Sequence, residues 1–287
     1  MDFTLYWFML PLSAFIATTA MLSGIGGAAL FTPLFVIIFP LLGPQYPLES
    51  TIAAIGTALL TGTLGSLSGY IGYYRKRLID FQITKKFLYT AVPVAIFGAL
   101  VARYIDDALL LAGYSILVFI LALAIMFLRQ RSTQHSEDAS STRSISIKID
   151  NTGKRYEYFA PKHGLASVSL TSIGAFLTGL LSVGIGEVII AQLTKRDIPV
   201  PIAAATSIAI GTVTLAAASF VVLGQLISAG GLSAVPWHLV IYTIPGVIIG
   251  GQIGPRLQGR IPQRALELTI GFVFIAISFA MMSIALK

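Results

Sequence analysis

One carboxylate, Glu187, stands directly after Gly184-Ile185-Gly186 in a stretch that is otherwise apolar. Ionising a carboxylate in apolar surroundings is costly, so such a group serves either as a proton carrier or as the acceptor for a backbone donor. Lys195 and Arg196, a little over two helical turns farther on, leave open a plainer alternative, an ion pair near a membrane surface. Gln192 is a candidate of the same kind. A second glycine run, Gly24-Ile25-Gly26-Gly27, interrupts another apolar stretch. Glycines that break a helix expose N–H groups carrying a partial positive charge, an arrangement that favours an anion. They also let helices pack closely, which is the ordinary use of small residues in membranes. Because the runs recur at equivalent places in two halves, Gly24, Gly26, Gly27, Gly184 and Gly186 are taken as candidate anion-binding positions. Thr57, Thr206 and Ser207 add hydroxyls that can donate to an oxyanion without adding charge; their alternative use is bonding to a carbonyl one turn earlier.

The elements that must position these residues follow from composition. The chain is 56 % hydrophobic and 11 % charged, against about 25 % charged in an ordinary soluble domain, so much of its surface must meet lipid. Six runs are long and apolar enough to span a bilayer: 50 to 74, 86 to 103, 108 to 128, 200 to 228, 237 to 255 and 264 to 286. Regions 3 to 43 and 164 to 194 are apolar but broken at the glycines, so each reads as a helical hairpin. With no cysteine there is no thiolate chemistry or disulfide framework. His135, His163 and His238 have no ligand spacing, so neither metal nor cofactor is expected. No nucleotide-binding GxxxxGK[ST] run occurs.

The net charge of +7 would point to nucleic acid in a soluble protein. Here the basic residues sit between apolar runs and read as topology determinants instead, with no nucleic-acid partner expected. Seventeen of the nineteen fall in four places: Arg75 to Lys86, Arg129 to Lys162, Lys195-Arg196, and Arg256 to Arg264. Placing all four in the cytoplasm leaves both termini and the loops 44 to 49, 104 to 107 and 229 to 236 outside. Each half is then a broken hairpin plus three spans, and the second runs opposite to the first. Internal similarity supports the duplication: Ile52-Ala53-Ala54 with Thr57 matches Ile202-Ala203-Ala204 with Ser207, and Pro93 with Gly98 matches Pro245 with Gly250. The expected architecture is an all-α polytopic membrane protein of two inverted-topology repeats, 1–129 and 164–287, each with a broken helical hairpin and three transmembrane helices. They are joined by a cytoplasmic linker, 130–163.

Within that linker Ile145, Ile147 and Ile149 alternate ahead of Asn151-Thr152-Gly153, and Tyr156 and Tyr158 follow, a β-hairpin signal. It is read as a small connecting element, with a regulatory or partner-binding role as the alternative.

Ser23-Gly24-Ile25-Gly26-Gly27-Ala28 with Leu30 and Pro33, then Val183-Gly184-Ile185-Gly186 and Ala203-Ala204-Ala205-Thr206-Ser207, resembles the TauE/SafE family of sulfite and organosulfonate exporters. The resemblance covers nearly the whole chain. It implies a multi-span permease of the plasma (inner) membrane exporting a small sulfur oxyanion or organosulfonate such as sulfite or sulfoacetate, coupled to a proton gradient. The second half departs from the family pattern where Glu187 replaces a third glycine and Leu193-Thr194 stands at a frequent proline position. An uptake permease or a passive channel for another small anion remains the alternative. A membrane enzyme is disfavoured because Glu187 has no second catalytic group beside it in the sequence. Oligomeric state is not legible.

Overall fold

In hydrocarbon every backbone N–H and C=O must be satisfied within the protein, so apolar segments fold as helices and interruptions survive only inside a protein surround. The computed structural model describes residues 5–43, 46, 50–128, 145–159 and 164–286. Arg129, Arg131, His135, Arg143, Lys162, His163 and the stretch from Ser132 to Thr142 lie outside the described residues.

The first broken arm is α1 (Met9–Ser23), then α2 (Ala28–Pro33) and α3 (Phe39–Leu42) joined by a π-helical turn over Leu34–Ile38. The spans α4 (Thr51–Arg75), α5 (Phe81–Ala102) and α6 (Asp107–Leu123) follow. After the hairpin strands β1 (Ile145–Ile149) and β2 (Arg155–Phe159) come the second broken arm, α7 (Leu165–Leu181) and α8 (Ile185–Thr194), and the spans α9 (Val200–Gly230), α10 (Trp237–Leu257) and α11 (Gln263–Ala285). Six helices, α4, α5, α6, α9, α10 and α11, are long and apolar enough to cross a membrane. The protein is an all-α polytopic membrane protein.

Starts and stops follow local chemistry. Ser50 caps α4 by accepting from the Ala53 amide at 3.2 Å, and Pro199, Pro236 and Pro262 precede α9, α10 and α11, where a missing N–H costs nothing. Asp80 starts α5 by accepting from the amides of Gln82 and Ile83 at 2.9 and 3.0 Å. This cap corrects the expected boundary. Lys85 and Lys86 belong to the second turn of α5 rather than to a loop, because the helix begins at Phe81 and long basic side chains can reach the interface from inside a helix. Pro33 has no N–H to give the Ala29 carbonyl, and the Tyr114 hydroxyl of α6 donates to that oxygen at 2.6 Å instead.

Packing exchanges the halves. Helix α1 lies on α10 while α7 lies on α5; α4 packs on α10 while α9 packs on α5; α4 meets α9, and α6 meets α11. Swapping each element for its counterpart in the other half reproduces the same set of pairs. The sequence match of Gly98 with Gly250 gains a physical meaning here. A Cβ on Gly98 would lie 2.2 Å from the Phe176 carbonyl oxygen of α7, and one on Gly250 would lie 2.3 Å from the Ala14 carbonyl oxygen of α1. Both glycines therefore set a backbone-to-backbone approach. Helices α4 and α9 form the middle: 72 % and 61 % of their apolar windows are buried, against 28 % for α11, which leaves α11 largely to lipid.

Strands β1 and β2 pair antiparallel, with Ser146 opposite Tyr158 and Lys148 opposite Tyr156. The turn is organised by Asp150, whose Oδ1 accepts from the amides of Thr152 and Lys154 and from the Thr152 hydroxyl. These bonds, the Thr152 hydroxyl first, hold its carboxyl below the usual range. The hairpin docks onto the end of α4 and the start of α5. Tyr158 is buried and its hydroxyl donates to Asp80 Oδ2 at 2.7 Å, and the Asn151 amide donates to the Lys76 carbonyl at 3.2 Å. Burial, then the bond to Asp80, pushes the Tyr158 phenol up from its ordinary value.

Two outcomes are expected. Gly98→Ala forces α5 off α7 and lowers the melting temperature, with a cost of about 1–3 kcal/mol for overpacking. Gly224→Ala in α9, where a Cβ meets nothing within 4 Å, does not. Tyr158→Phe leaves the helices folded and raises deuterium uptake over residues 145–159. Because the phenol's raised value favours its neutral form, docking is complete below pH about 10 and the wild-type hairpin loosens as the pH climbs beyond that.

Candidate functional site

The two breaks are built alike. Helix α1 stops where Gly24 takes a left-handed φ of 73°, and the chain passes through Ile25 and Gly26 before α2 begins. Helix α7 stops at Ser182, φ 64°, and the chain reaches α8 through Gly184 at φ 135°, a conformation that only glycine adopts readily. Although they come from different halves, the breaks touch. A Cβ on Gly186 would sit 2.6 Å from the Gly26 nitrogen and 3.3 Å from the Gly24 carbonyl oxygen.

Side chains satisfy part of the interrupted backbone. Ser23 Oγ accepts from the Ile25 amide at 3.2 Å, Thr178 Oγ1 from the Ile185 amide at 2.7 Å, and Glu187 Oε2 from the Gly184 amide at 3.1 Å. Ser207 stands within 3.0 Å of both the Gly24 and the Gly186 carbonyl oxygens, one from each break. Its hydroxyl is thus the pin between the two interruptions. Thr32 and Ser182 join the two broken arms through a hydroxyl pair at 2.6 Å. The amides of Gly26, Gly27, Ala28 and Gly186 have no acceptor among the described residues, as expected for groups at helix N-termini.

Around this junction lies a cavity whose walls include Gly24, Gly26, Ser66, Gly184, Gly186, Glu187, Ser207 and Gly211, with Ile208 and Leu215 on the apolar side. Its volume is about 10 Å³, room for about one water molecule, so the cavity is closed in this structure. Glu187 is 3 % exposed, and its Oε1 is buried with no hydrogen-bond partner. It does not pair with Lys195 or Arg196; the carboxylate faces the junction. The walls carry free amides, the Ser66 side chain and one unsatisfied carboxylate oxygen.

Of the positions selected from sequence, Gly24, Gly26, Gly184, Gly186, Glu187 and Ser207 come together at the cavity, with Gly27 next to it in the chain. The others are placed elsewhere. Thr57 Oγ1 bonds back to the Ala53 carbonyl at 2.7 Å. Thr206 Oγ1 accepts from the Asp80 amide at 3.1 Å. Gln192 ties α8 to α7 through Ser167 and Thr171 at 2.6 and 3.2 Å. Sequence reasoning passed over Ser66, Thr178, Ser182 and Gly211. Thr178 and Ser182 flank the second break within a turn or two, a signal that was present; Ser66 and Gly211 reach the cavity only through packing of α4 and α9.

Fold and geometry together define a multi-pass membrane protein with a small closed cavity between two interrupted helices, the architecture of a membrane transporter. Residues 9–281 match the family described as sulfite exporter TauE/SafE, and the chain belongs to that family. It is 23 % identical over 260 residues, 86 % of this chain and 89 % of the relative, to the probable membrane transporter protein YjnA of Bacillus subtilis (strain 168). No solved structure matches.

Ser207→Ala removes the one hydroxyl hydrogen shared between the Gly24 and Gly186 carbonyls and is expected to destabilise by about 1–3 kcal/mol, read as a lower melting temperature in detergent. Thr57→Ala, which removes only a back-bond, is expected to shift it by less.

Proposed function

We propose that this transporter exports a small sulfur oxyanion or organosulfonate, with sulfite the simplest case, coupled to protons across the plasma membrane. The observation that carries the reading is the meeting of two helix N-termini, with unpartnered amides, around a cavity that also holds the unpaired Oε1 of Glu187. Amide hydrogens and the Ser66 hydroxyl bind oxyanion oxygens without a full positive charge, so release is as easy as capture. An ionised Glu187 repels an anion at this distance, whereas a protonated one donates to it. Loading of anion and proton at the same junction is therefore linked.

The two halves are inserted in opposite senses, with both termini outside and the hairpin in the cytoplasm. Exchange of helix partners between the halves and the placement of basic residues support this orientation. Movement of the two broken arms against α4 and α9 would open the closed site to one face and then the other, which is how inverted repeats give alternating access.

Proteoliposomes loaded with sulfite test the reading. Wild-type efflux is expected to saturate and to quicken under a proton gradient. Glu187→Gln is expected to remove the gradient dependence, and Gly186→Val, which drives a side chain into Gly26, to abolish flux. Efflux that is unsaturable, or that keeps its full gradient dependence in Glu187→Gln, would overturn the coupling assigned to this residue.

A further inference from the structure

A second cavity lies far from the junction, where the hairpin meets the ends of α4 and α5. Its walls are Tyr74, Arg75, Arg77, Ile79, Phe81, Lys148 and Ile149, and its volume is about 510 Å³, within the range of small-ligand sites. Three of the seven residues are cationic. Arg75 and Arg77 are exposed, and none of the three cations forms an ion pair among the described residues. Nearby carboxylates are otherwise engaged: Asp150 by its turn, Asp80 by the α5 cap and Tyr158, Glu157 by Arg155 at 2.8 Å. These carboxylates keep their charge, but Arg75, Lys76, Arg77, Lys148, Lys154 and Arg155 outnumber Asp80, Asp150 and Glu157 in the segments around the cleft, so its field is net positive.

Its other walls are apolar and uncovered. Tyr74 is 57 % exposed, Phe81 43 % and Ile149 55 %, and the Tyr74 and Phe81 rings meet edge to face at 6.2 Å. Tyr74 is in the last turn of one membrane span and Phe81 is the first residue of the next, so this aromatic edge sits at the level where hydrocarbon gives way to headgroups. A phosphate with acyl chains attached meets both demands, its charge among Arg75, Arg77 and Lys148 and its glycerol end along Tyr74 and Phe81. Free phosphate would use only the first.

We infer that this cleft is a binding site for the headgroup of an anionic phospholipid, held between the α4–α5 turn and the docked hairpin. Lys148 and Ile149 come from the hairpin, so an occupied site also fastens the hairpin to the helices. The linker thereby acquires a role that its length alone would not require.

The test uses the full-length protein in detergent, titrated with phosphatidylglycerol, with phosphatidylcholine of the same chains, and with inorganic phosphate, binding being followed by native mass spectrometry and melting temperature. Phosphatidylglycerol is expected to bind in preference to both other probes. Each cation removed by Arg75→Gln, Arg77→Gln or Lys148→Gln is expected to weaken it about fivefold, from about 1 kcal/mol per basic residue near a charged surface. An unchanged melting temperature without added lipid shows that the single variants fold. If the Arg75 or Arg77 variant fails to fold, Lys148→Gln on the hairpin carries the test alone. Equal binding of phosphatidylcholine, equal stabilisation by inorganic phosphate, or unchanged phosphatidylglycerol affinity in Lys148→Gln would each overturn the site. None of these outcomes bears on the junction between the helix breaks, so failure here leaves the transport reading standing.

Discussion

Backbone that leaves a helix inside a membrane has to find partners without water, and the structure solves that problem by placing two such places against each other. A Cβ on Gly186 would lie 2.6 Å from the Gly26 nitrogen, so the second break has no room for a side chain where it meets the first. Hydroxyls and a carboxylate from the same region then take up the loose ends: Ser23, Thr178, Ser207 and Glu187. What remains unsatisfied at the junction, among the described residues, is a small set of amide hydrogens and one carboxylate oxygen.

The halves are alike in framework and unlike in detail. Their helices exchange partners as a pair of equal units would, and Gly98 and Gly250 do the same job in each. At the junction the equivalence ends. The second half supplies Glu187 and Ser207; in the first, Gly27 stands at the break and Thr57, the sequence match of Ser207, stays away from it with its hydroxyl bonded back to its own helix. A framework of matched helix pairs thus surrounds an asymmetric junction, with a carboxylate from the second half and the Ser66 hydroxyl from the first.

The hairpin is connected to that site through a short run of contacts. Tyr158 donates to Asp80, the Asp80 amide donates to Thr206, and Thr206 is the chain neighbour of Ser207, the pin between the breaks. Asp80 at the same time starts α5. A soluble-looking ornament is therefore built into the end of the helix bundle, with its only buried tyrosine among the described strand residues pointing at a cap.

Much of this was legible in the chain. Low charge and long apolar runs dictate membrane helices, because the number of polar side chains is too small to cover the surface. Glycine runs dictate the breaks, and the duplicated spacing dictates two similar units, since these are local properties of the backbone and of residue order. The motif around Gly24 and Gly184 also carried the family resemblance. Tertiary structure alone decided which candidates meet. Ser207 faces the breaks while Thr206, one residue earlier, points to Asp80, because successive residues on a helix differ by about 100° in direction. Gln192 braces its own hairpin, Ser66 enters the cavity from a helix with no break, and Arg75, Arg77 and Lys148 share a cleft. Such meetings depend on how helices cross, and no pattern along a single segment records that.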